Sequence, residues 1–482
     1  MPRVPPFSPA GTLLCTVLLA LVGIPILCVP AQGGPDPDVL DQPMALAAQY
    51  FDRELEMADA SSRTPAWARP LQRLATSPAT DVRDEVIREL GAVLEAHAQG
   101  TIEATPVEVV RVEGRLALVL AETDKRDLLR ARLDTLAARG SEGARLAALV
   151  RFAYGLSDER PSEAALEEVL ALLRDEARPG PTWATDRLAS RVLRRLGNEA
   201  DASAAEARLL DRGGRAQTRA LWLGGILVAL VLAGLAVGAP RLVSRKPLPR
   251  LSSGVSPAPW SAAEGYAMTV RAGVLCLLVL VAYYLLLELL VSDFVAKGLP
   301  FGTLLGALPM LHYLTRRVPA AHGTRLVELF GLRLEAPATD LFVATLVLIA
   351  LEQALGMGAS ALSPGHWYEG VLEEALRGGP GQVLVLTVDA VIWAPLLEEI
   401  ACRGLIYTSL RTRLSPWNAA MASAALFTLP HMYSPGGALA LFTGAIASAL
   451  IYERTRSLLP CIVAHAVNNA LAMGASLLVY RG

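Results

Sequence analysis

From Ala220 to the C-terminus the chain is a succession of apolar runs separated by short polar segments. Lipid offers the backbone no water to bond, so such a chain can cross a bilayer only as helices or as a closed barrel that satisfy their own N–H and C=O groups. The runs lie near 220–239, 268–292, 298–315, 339–357, 381–405, 415–432, 437–452 and 459–480 and read as helical spans. Most reach the ~20 residues that span a bilayer, and the shorter ones tilt or stop partway. An earlier apolar run, Ala10–Val29, comes after the single basic residue Arg3. It reads as a secretory signal cut after Val29-Pro30-Ala31 or as an uncleaved anchor, and either one exports the segment C-terminal to it. The expected fold is therefore all-α: a polytopic membrane helical bundle of about eight spans after an N-terminal signal or anchor.

Residues 36–218 differ in character, being charged and rich in Ala, Leu, Arg and Glu. Apolar residues recur at spacings of three and four in Val82–Ala98, Pro106–Glu122, Lys125–Ala138, Glu142–Gly155, Ser162–Glu176 and Thr185–Gly197, which predicts amphipathic helices. Polar breakers such as Ser157-Asp158-Glu159-Arg160-Pro161 and Arg178-Pro179-Gly180-Pro181 separate them. The prediction is an all-helical soluble domain, a generic bundle or a small helical-repeat module, open to binding another protein of unspecified kind. The domain scheme is 1–31 signal or anchor, 36–218 soluble helical domain, 219–259 span and linker, and 260–482 the main membrane domain.

Basic residues orient the spans. One set of connecting segments holds Arg241, Arg245, Lys246 and Arg250, then Arg316, Arg317, Arg325 and Arg333, then Arg411 and Arg413, then Arg454 and Arg456. The other set holds Lys297 and Arg377, with Arg481 at the C-terminus. The first set is expected to be cytoplasmic. That places the protein across the cell (inner or plasma) membrane as a multi-pass protein, with the soluble domain outside the cytoplasm. A net charge of −2 without a basic cluster excludes a nucleic-acid partner. The five cysteines all fall in apolar runs, which excludes a disulfide framework in the soluble domain.

Charge inside the apolar runs singles out the chemistry. Pro395-Leu396-Leu397-Glu398-Glu399-Ile400-Ala401-Cys402-Arg403-Gly404 places two carboxylates and a guanidinium where charges are rare and functional by default. On a helix the two glutamates point about 100° apart, so they do different work. Glu399 and Arg403 are an i,i+4 pair with the acid leading, the favoured order for an ion pair. Glu398 is left to face a cavity. Two of the six histidines, His431 and His465, also lie within spans. Phe427 shares a helical face with His431, and Asn469 shares one with His465. His97, His312, His322 and His366 read as ordinary surface or interface residues. The turn at Arg411–Ser415 folds the Glu398 span back on the His431 span, with both residues about 20–25 Å from the turn at ~1.5 Å per residue. His465 enters from the next turn at a shallower depth.

These three motifs, Glu398-Glu399-x-x-x-Arg403, Phe427-x-x-x-His431 and His465-x-x-x-Asn469, resemble in order those of the CAAX-protease and bacteriocin-processing (CPBP, also ABI) intramembrane endopeptidases. The resemblance covers about 260–482, with its motif core in 381–475, and leaves out 36–218. Glu373-Glu374-Ala375-Leu376-Arg377 has the wrong spacing, and Cys402 stands where the family usually carries an aromatic residue.

The resemblance implies an intramembrane endopeptidase acting on a membrane-associated protein or peptide. Glu398 is then the general base for water, His431 positions that water, and His465 with Asn469 stabilises the oxyanion. Glu399, Arg403 and Phe427 support them. No cofactor is expected: Glu and His are acceptable zinc ligands, but Asn469 suits hydrogen bonding better and no His-Glu-x-x-His occurs. The alternatives are a zinc-dependent protease of the same constellation, a non-catalytic scaffold, or a transporter using Glu288, Glu352 and Asp389 as a proton relay.

Overall fold

A computed structural model describes residues 7–28, 42–61, 79–123, 125–174, 180–254, 258–290, 304–363, 376–431 and 433–481. These residues are helical or irregular, with no strand among them. They form two compact units: a membrane unit of 1–31 and 226–473, and a helical unit of 32–225 and 474–482.

The helical unit opens with α2 (Pro43–Ala60), after the N-terminal α1 (Pro9–Cys28) of the other unit. It continues with α3 (Ala79–Ala98), α4 (Pro106–Ala121), α5 (Arg126–Ala137), α6 (Ser141–Ala153), α7 (Glu163–Leu173) and α8 (Trp183–Arg195). The helices starting at 79, 106, 126, 141, 163 and 183 coincide with the six predicted periodic runs, whereas α2 lies ahead of them. Reciprocal Thr105–Glu108 and Thr182–Thr185 hydrogen bonds cap α4 and α8, satisfying N–H groups that a helix start leaves unpaired. Trp183, Phe51, Leu46, Leu116 and Leu118 are fully buried. Charges buried beside them are paired: Arg115 Nη2 lies 2.9 Å from Asp52 Oδ2, and Asp59 holds Arg83, Arg187 and the Trp183 indole N–H. Helix α9 (Glu199–Val243) gives its first half to this unit. The C-terminal residues belong here too, with the Tyr480 ring stacked 4.6 Å from that of Tyr50 and its hydroxyl donating to Glu54 at 2.6 Å.

The membrane unit holds α1, the second half of α9, α10 (Ala262–Leu290), α11 (304–322) and α12 (Ala338–Leu362). A continuous helical run, α13 (Pro380–Leu410), is followed by α14 (Pro416–Thr428), α15 (Pro435–Thr455) and α16 (Leu459–Gly474), which continues as π-helix to Arg481. Five described helices are long and apolar enough to cross a membrane: 199–241, 262–283, 338–359, 435–455 and 459–481. The predicted run 381–405 lies inside α13, and 415–432 forms the 13-residue α14 plus a 3₁₀ turn from Leu429 to His431. Serine caps start two of these helices: Ser415 accepts from the Asn418 N–H, and Ser434 from that of Gly437. Ala419, Ala420, Ala447, Ala449 and Ala464 are buried where α14, α15 and α16 meet the core, and small residues there let helices approach closely in lipid. Membrane spans and the all-helical fold agree with the sequence expectation.

Several expectations lie outside the described residues: the Val29-Pro30-Ala31 cleavage site, Lys297, His366, the Glu373-Glu374 pair, the end of the predicted run 268–292 and the start of 298–315. The described cysteines Cys15, Cys276, Cys402 and Cys461 are free thiols. His97 Nδ1 lies 3.1 Å from the Ile102 carbonyl, and His322 pairs with Glu264 at 3.3 Å.

Candidate active site

Helix α13 is not a uniform α-helix. It is π-helical over Asp389–Trp393 and again over Ile400–Tyr407, flanking the α-helical turn Ala394–Glu399 that carries both glutamates. A π-helical turn displaces carbonyls from their usual partners, and such turns recur at functional sites. Here side chains take up the displaced groups: Ser423 Oγ donates to the Cys402 carbonyl at 2.9 Å, and Thr408 Oγ1 to that of Arg403 at 2.7 Å. Gly404 follows Arg403 because a Cβ there would lie 2.9 Å from the Phe330 ring. Only glycine fits that approach.

The two glutamates face different surroundings. Glu399 is buried, its side chain 2% exposed, and Arg403 Nη1 lies 3.0 Å from its Oε1. Ser448 Oγ donates to its Oε2 at 3.4 Å, and His465 Nδ1 lies 3.2 Å from Oε1. Every oxygen of Glu399 is engaged. The Glu398 side chain is 34% exposed, and its nearest ionic neighbour is His465 Nε2 at 3.8 Å, beyond hydrogen-bond range. His431 and His465 are both within electrostatic reach of its carboxylate.

Phe427 joins the three motifs. The Arg403 guanidinium sits 4.9 Å from its ring centroid, a cation–π contact in a water-poor setting. The His431 ring lies 4.9 Å from the same centroid and that of His465 6.2 Å away, edge-on at 88°. Cys402 packs beside it with Ala424 and Ala445, a small side chain occupying the place of the expected aromatic. The second Arg403 nitrogen, Nη2, donates to the Ala445 carbonyl at 3.2 Å.

The remaining site residues are held by backbone. After Thr428 the chain tightens into the 3₁₀ turn, and His431 Nδ1 lies 2.8 Å from the Phe427 carbonyl. A carbonyl only accepts, so Nδ1 carries the proton and Nε2 is the free end of the ring. Asn469 Nδ2 donates to the Ala390 carbonyl at 2.7 Å, inside the first π-helical turn. Thus Glu398, Glu399, Arg403, Phe427, His431 and His465 are brought together, with Asn469 one turn along α16 from His465. Ser448 was not singled out from sequence, because a serine in an apolar run carries no signal until its neighbour is known.

Residues 380–471 match the family model described as type II CAAX prenyl endopeptidase Rce1-like. This segment is thus similar to the CAAX-protease family. No curated protein and no solved structure matches the chain. The CAAX-protease segment begins at the first residue of α13 and ends in α16, so it contains all three motifs and excludes the helical unit. The match supports a CAAX-type peptidase, a hydrolase, in this segment of the membrane unit.

Proposed function

We propose that the CAAX-protease domain hydrolyses a peptide bond of a membrane-associated protein or peptide by glutamate-activated water. The observation that carries this reading is the asymmetry of the adjacent glutamates. Glu399 is bonded to Arg403, Ser448 and His465, whereas Glu398 keeps an open carboxylate beside two histidines. Glu398 removes a proton from water as the oxygen attacks the carbonyl carbon, then returns it to the leaving amine. His431, with Nδ1 held by the Phe427 carbonyl, offers Nε2 as an acceptor that orients the water. The oxyanion is met by His465 and Asn469. His465 donates through Nε2, which with Nδ1 bonded to Glu399 requires a doubly protonated ring lying between the two carboxylates. Asn469 donates through its amide, of which one hydrogen is engaged by Ala390. No metal is required for these steps.

The likeness to type II CAAX prenyl endopeptidases points to a prenylated CAAX peptide as substrate, with an unprenylated membrane peptide of the same depth as the alternative. Two quenched fluorescent peptides, one farnesylated at a CAAX box and one not, separate these when offered to the full chain in proteoliposomes. Cleavage of either that vanishes with Glu398→Gln supports the mechanism, and cleavage persisting in that variant sinks it.

The arginine asymmetry between connecting segments supports a cell-membrane topology with the helical unit outside the cytoplasm. Protease added to cells with a permeabilised outer layer should digest the helical unit and spare the Arg411–Ser415 turn. The reverse pattern overturns the topology.

A further inference from the structure

Helix α16 carries His465 and Asn469, and between them a residue that the three motifs leave out. Asn468 uses both ends of its amide on two adjacent residues of α12. Its Nδ2 donates to Glu352 Oε2 at 2.7 Å, and its Oδ1 accepts from Gln353 Nε2 at 2.9 Å. A donor faces an acceptor on each side, so the assignment is self-consistent: turning the amide over would set donor against donor and acceptor against acceptor. Glu352 also lies against α15, where its Cγ is 3.7 Å from the position a Cβ would take on Gly444. Glu352 therefore packs between α12, α15 and α16 at ordinary van der Waals distance from Gly444.

A two-point polar clamp of this kind resists rolling of α16 about its axis. Hydrocarbon packing alone tolerates small rolls, because apolar contacts are not directional. The site does not tolerate them. A roll of about 10° moves a group about 7 Å from a helix axis by roughly 1 Å, a misplacement on the order of 100-fold in rate at a reacting centre. Both the His465–Glu399 contact and the Asn469–Ala390 bond depend on the same roll.

We propose that Glu352 is a positioning residue of this peptidase, acting through Asn468 to set the rotation of α16 and so the placement of His465 and Asn469. The proposal rests on the roles given to those two residues above. Glu352 touches neither water nor substrate in this scheme. It works as a hydrogen-bond acceptor, so its charge is dispensable and its acceptor oxygen is not.

The test uses the full chain in proteoliposomes with whichever quenched peptide is cleaved, farnesylated or not. Glu352→Gln keeps a carbonyl oxygen for Asn468 and should retain kcat within about threefold, whereas Glu352→Leu should lower kcat roughly 10- to 100-fold at nearly constant KM. Asn468→Leu, which removes both bonds, should cost at least as much as Glu352→Leu, and the double variant should be no worse than Asn468→Leu alone. If the leucine variants fail to fold, Asn468→Asp alone should impair kcat by setting two acids face to face, and adding Glu352→Gln should restore it. Wild-type kcat in folded Glu352→Leu, loss with Glu352→Gln equal to that with Glu352→Leu, or no rescue in the Asp–Gln pair each overturns the proposal. His465→Ala and Asn469→Ala run beside them: if these keep full turnover the site assignment itself fails, independently of the clamp.

Discussion

His465 makes its closer carboxylate contact to Glu399, Nδ1 to Oε1 at 3.2 Å, and not to Glu398 beside it, whose Oε2 is 3.8 Å from Nε2. The buried glutamate therefore links two partners, Arg403 on its own helix and His465 on α16. This makes Glu399 an orienting group for the third motif as well as the counterion of the first. Glu398 is left with one long contact and an open face.

The two glutamates should accordingly fail differently when each is changed to glutamine. Glu398→Gln removes the proposed base, and turnover should fall below detection with the melting temperature in detergent nearly unchanged. Glu399→Gln leaves the Arg403 guanidinium in a site where it is 3% exposed without its counterion, a loss of about 3–5 kcal/mol for a broken buried pair. Turnover and thermal melting measured on both variants check this. A fully stable, inactive Glu399→Gln would invert the assignment.

The helical unit should carry its own pH dependence. Burial pushes the Glu54 carboxyl up to about 7, against the lowering effect of its bond from Tyr480. An acid whose folded pKa lies above its unfolded value near 4.5 binds its proton more tightly when folded. Its contribution is complete below pH 4.5 and is lost as the pH rises through 7. Hydrogen exchange of the α2 amides in the full chain should therefore quicken beyond the intrinsic rate between about pH 4.5 and 7 and level off above, by roughly 1–3 kcal/mol in opening free energy. Glu54→Gln should flatten that dependence. Equal slopes for the two proteins would remove Glu54 as the cause.

Much of the membrane site is legible in the sequence because helical periodicity is local. The angle of about 100° between Glu398 and Glu399, the i,i+4 partner at Arg403 and the shared face of Phe427 and His431 need no knowledge of tertiary structure. What was not legible depends on the register between helices. The π-helical turns at Asp389–Trp393 and Ile400–Tyr407 shift the phase of α13, so Asn469 meets the Ala390 carbonyl, a pairing no spacing rule offers. Glu352 was visible as an acid in a span, and Asn468 as a neighbour of Asn469, but their bond joins positions far apart in sequence. In the helical unit the periodic runs gave six helices. The α2 segment escaped notice although Phe51 and Leu55 are buried, because its periodicity sits beside unusually many buried acids, Asp52 and Glu56 among them.

Helix α1 should remain in the mature protein. Arg271 on α10 donates through Nη2 to the Ser8 carbonyl at 3.1 Å, and its guanidinium lies 5.0 Å from the Phe7 ring. Thr16 and Tyr266 hydroxyls meet at 2.8 Å, and Gly273 accommodates Leu19. A discarded signal has no reason to carry partners for a membrane arginine. N-terminal sequencing of the protein purified from membranes should find residues preceding Val29, and deleting 1–28 should cost about 1–3 kcal/mol by leaving Arg271 short of partners. A mature chain that starts after Ala31 would contradict this.

The last prediction separates metal-free hydrolysis from zinc catalysis. A catalytic zinc would need three protein ligands and an open position for water, and the amide of Asn469 is a poor fourth partner for that ion. As an oxyanion donor the same amide is well suited: Ala390 engages one of its hydrogens and fixes its plane, leaving the other to donate. His465 is fixed in the same way, Nδ1 by Glu399 and Nε2 toward Glu398. In the proposed mechanism these two donors, one helical turn apart, serve one oxygen. Asn469→Ala should reduce kcat about as much as His465→Ala, each by an amount equivalent to about 2–4 kcal/mol for one lost oxyanion donor. Under zinc catalysis His465→Ala would remove a ligand and Asn469→Ala only a neighbour, so the two would part by orders of magnitude. Purified protein should also keep its turnover through exhaustive dialysis against a chelator. Activity lost on chelation and restored by added zinc, together with stoichiometric metal in the active preparation, would establish the metal mechanism in place of the one proposed.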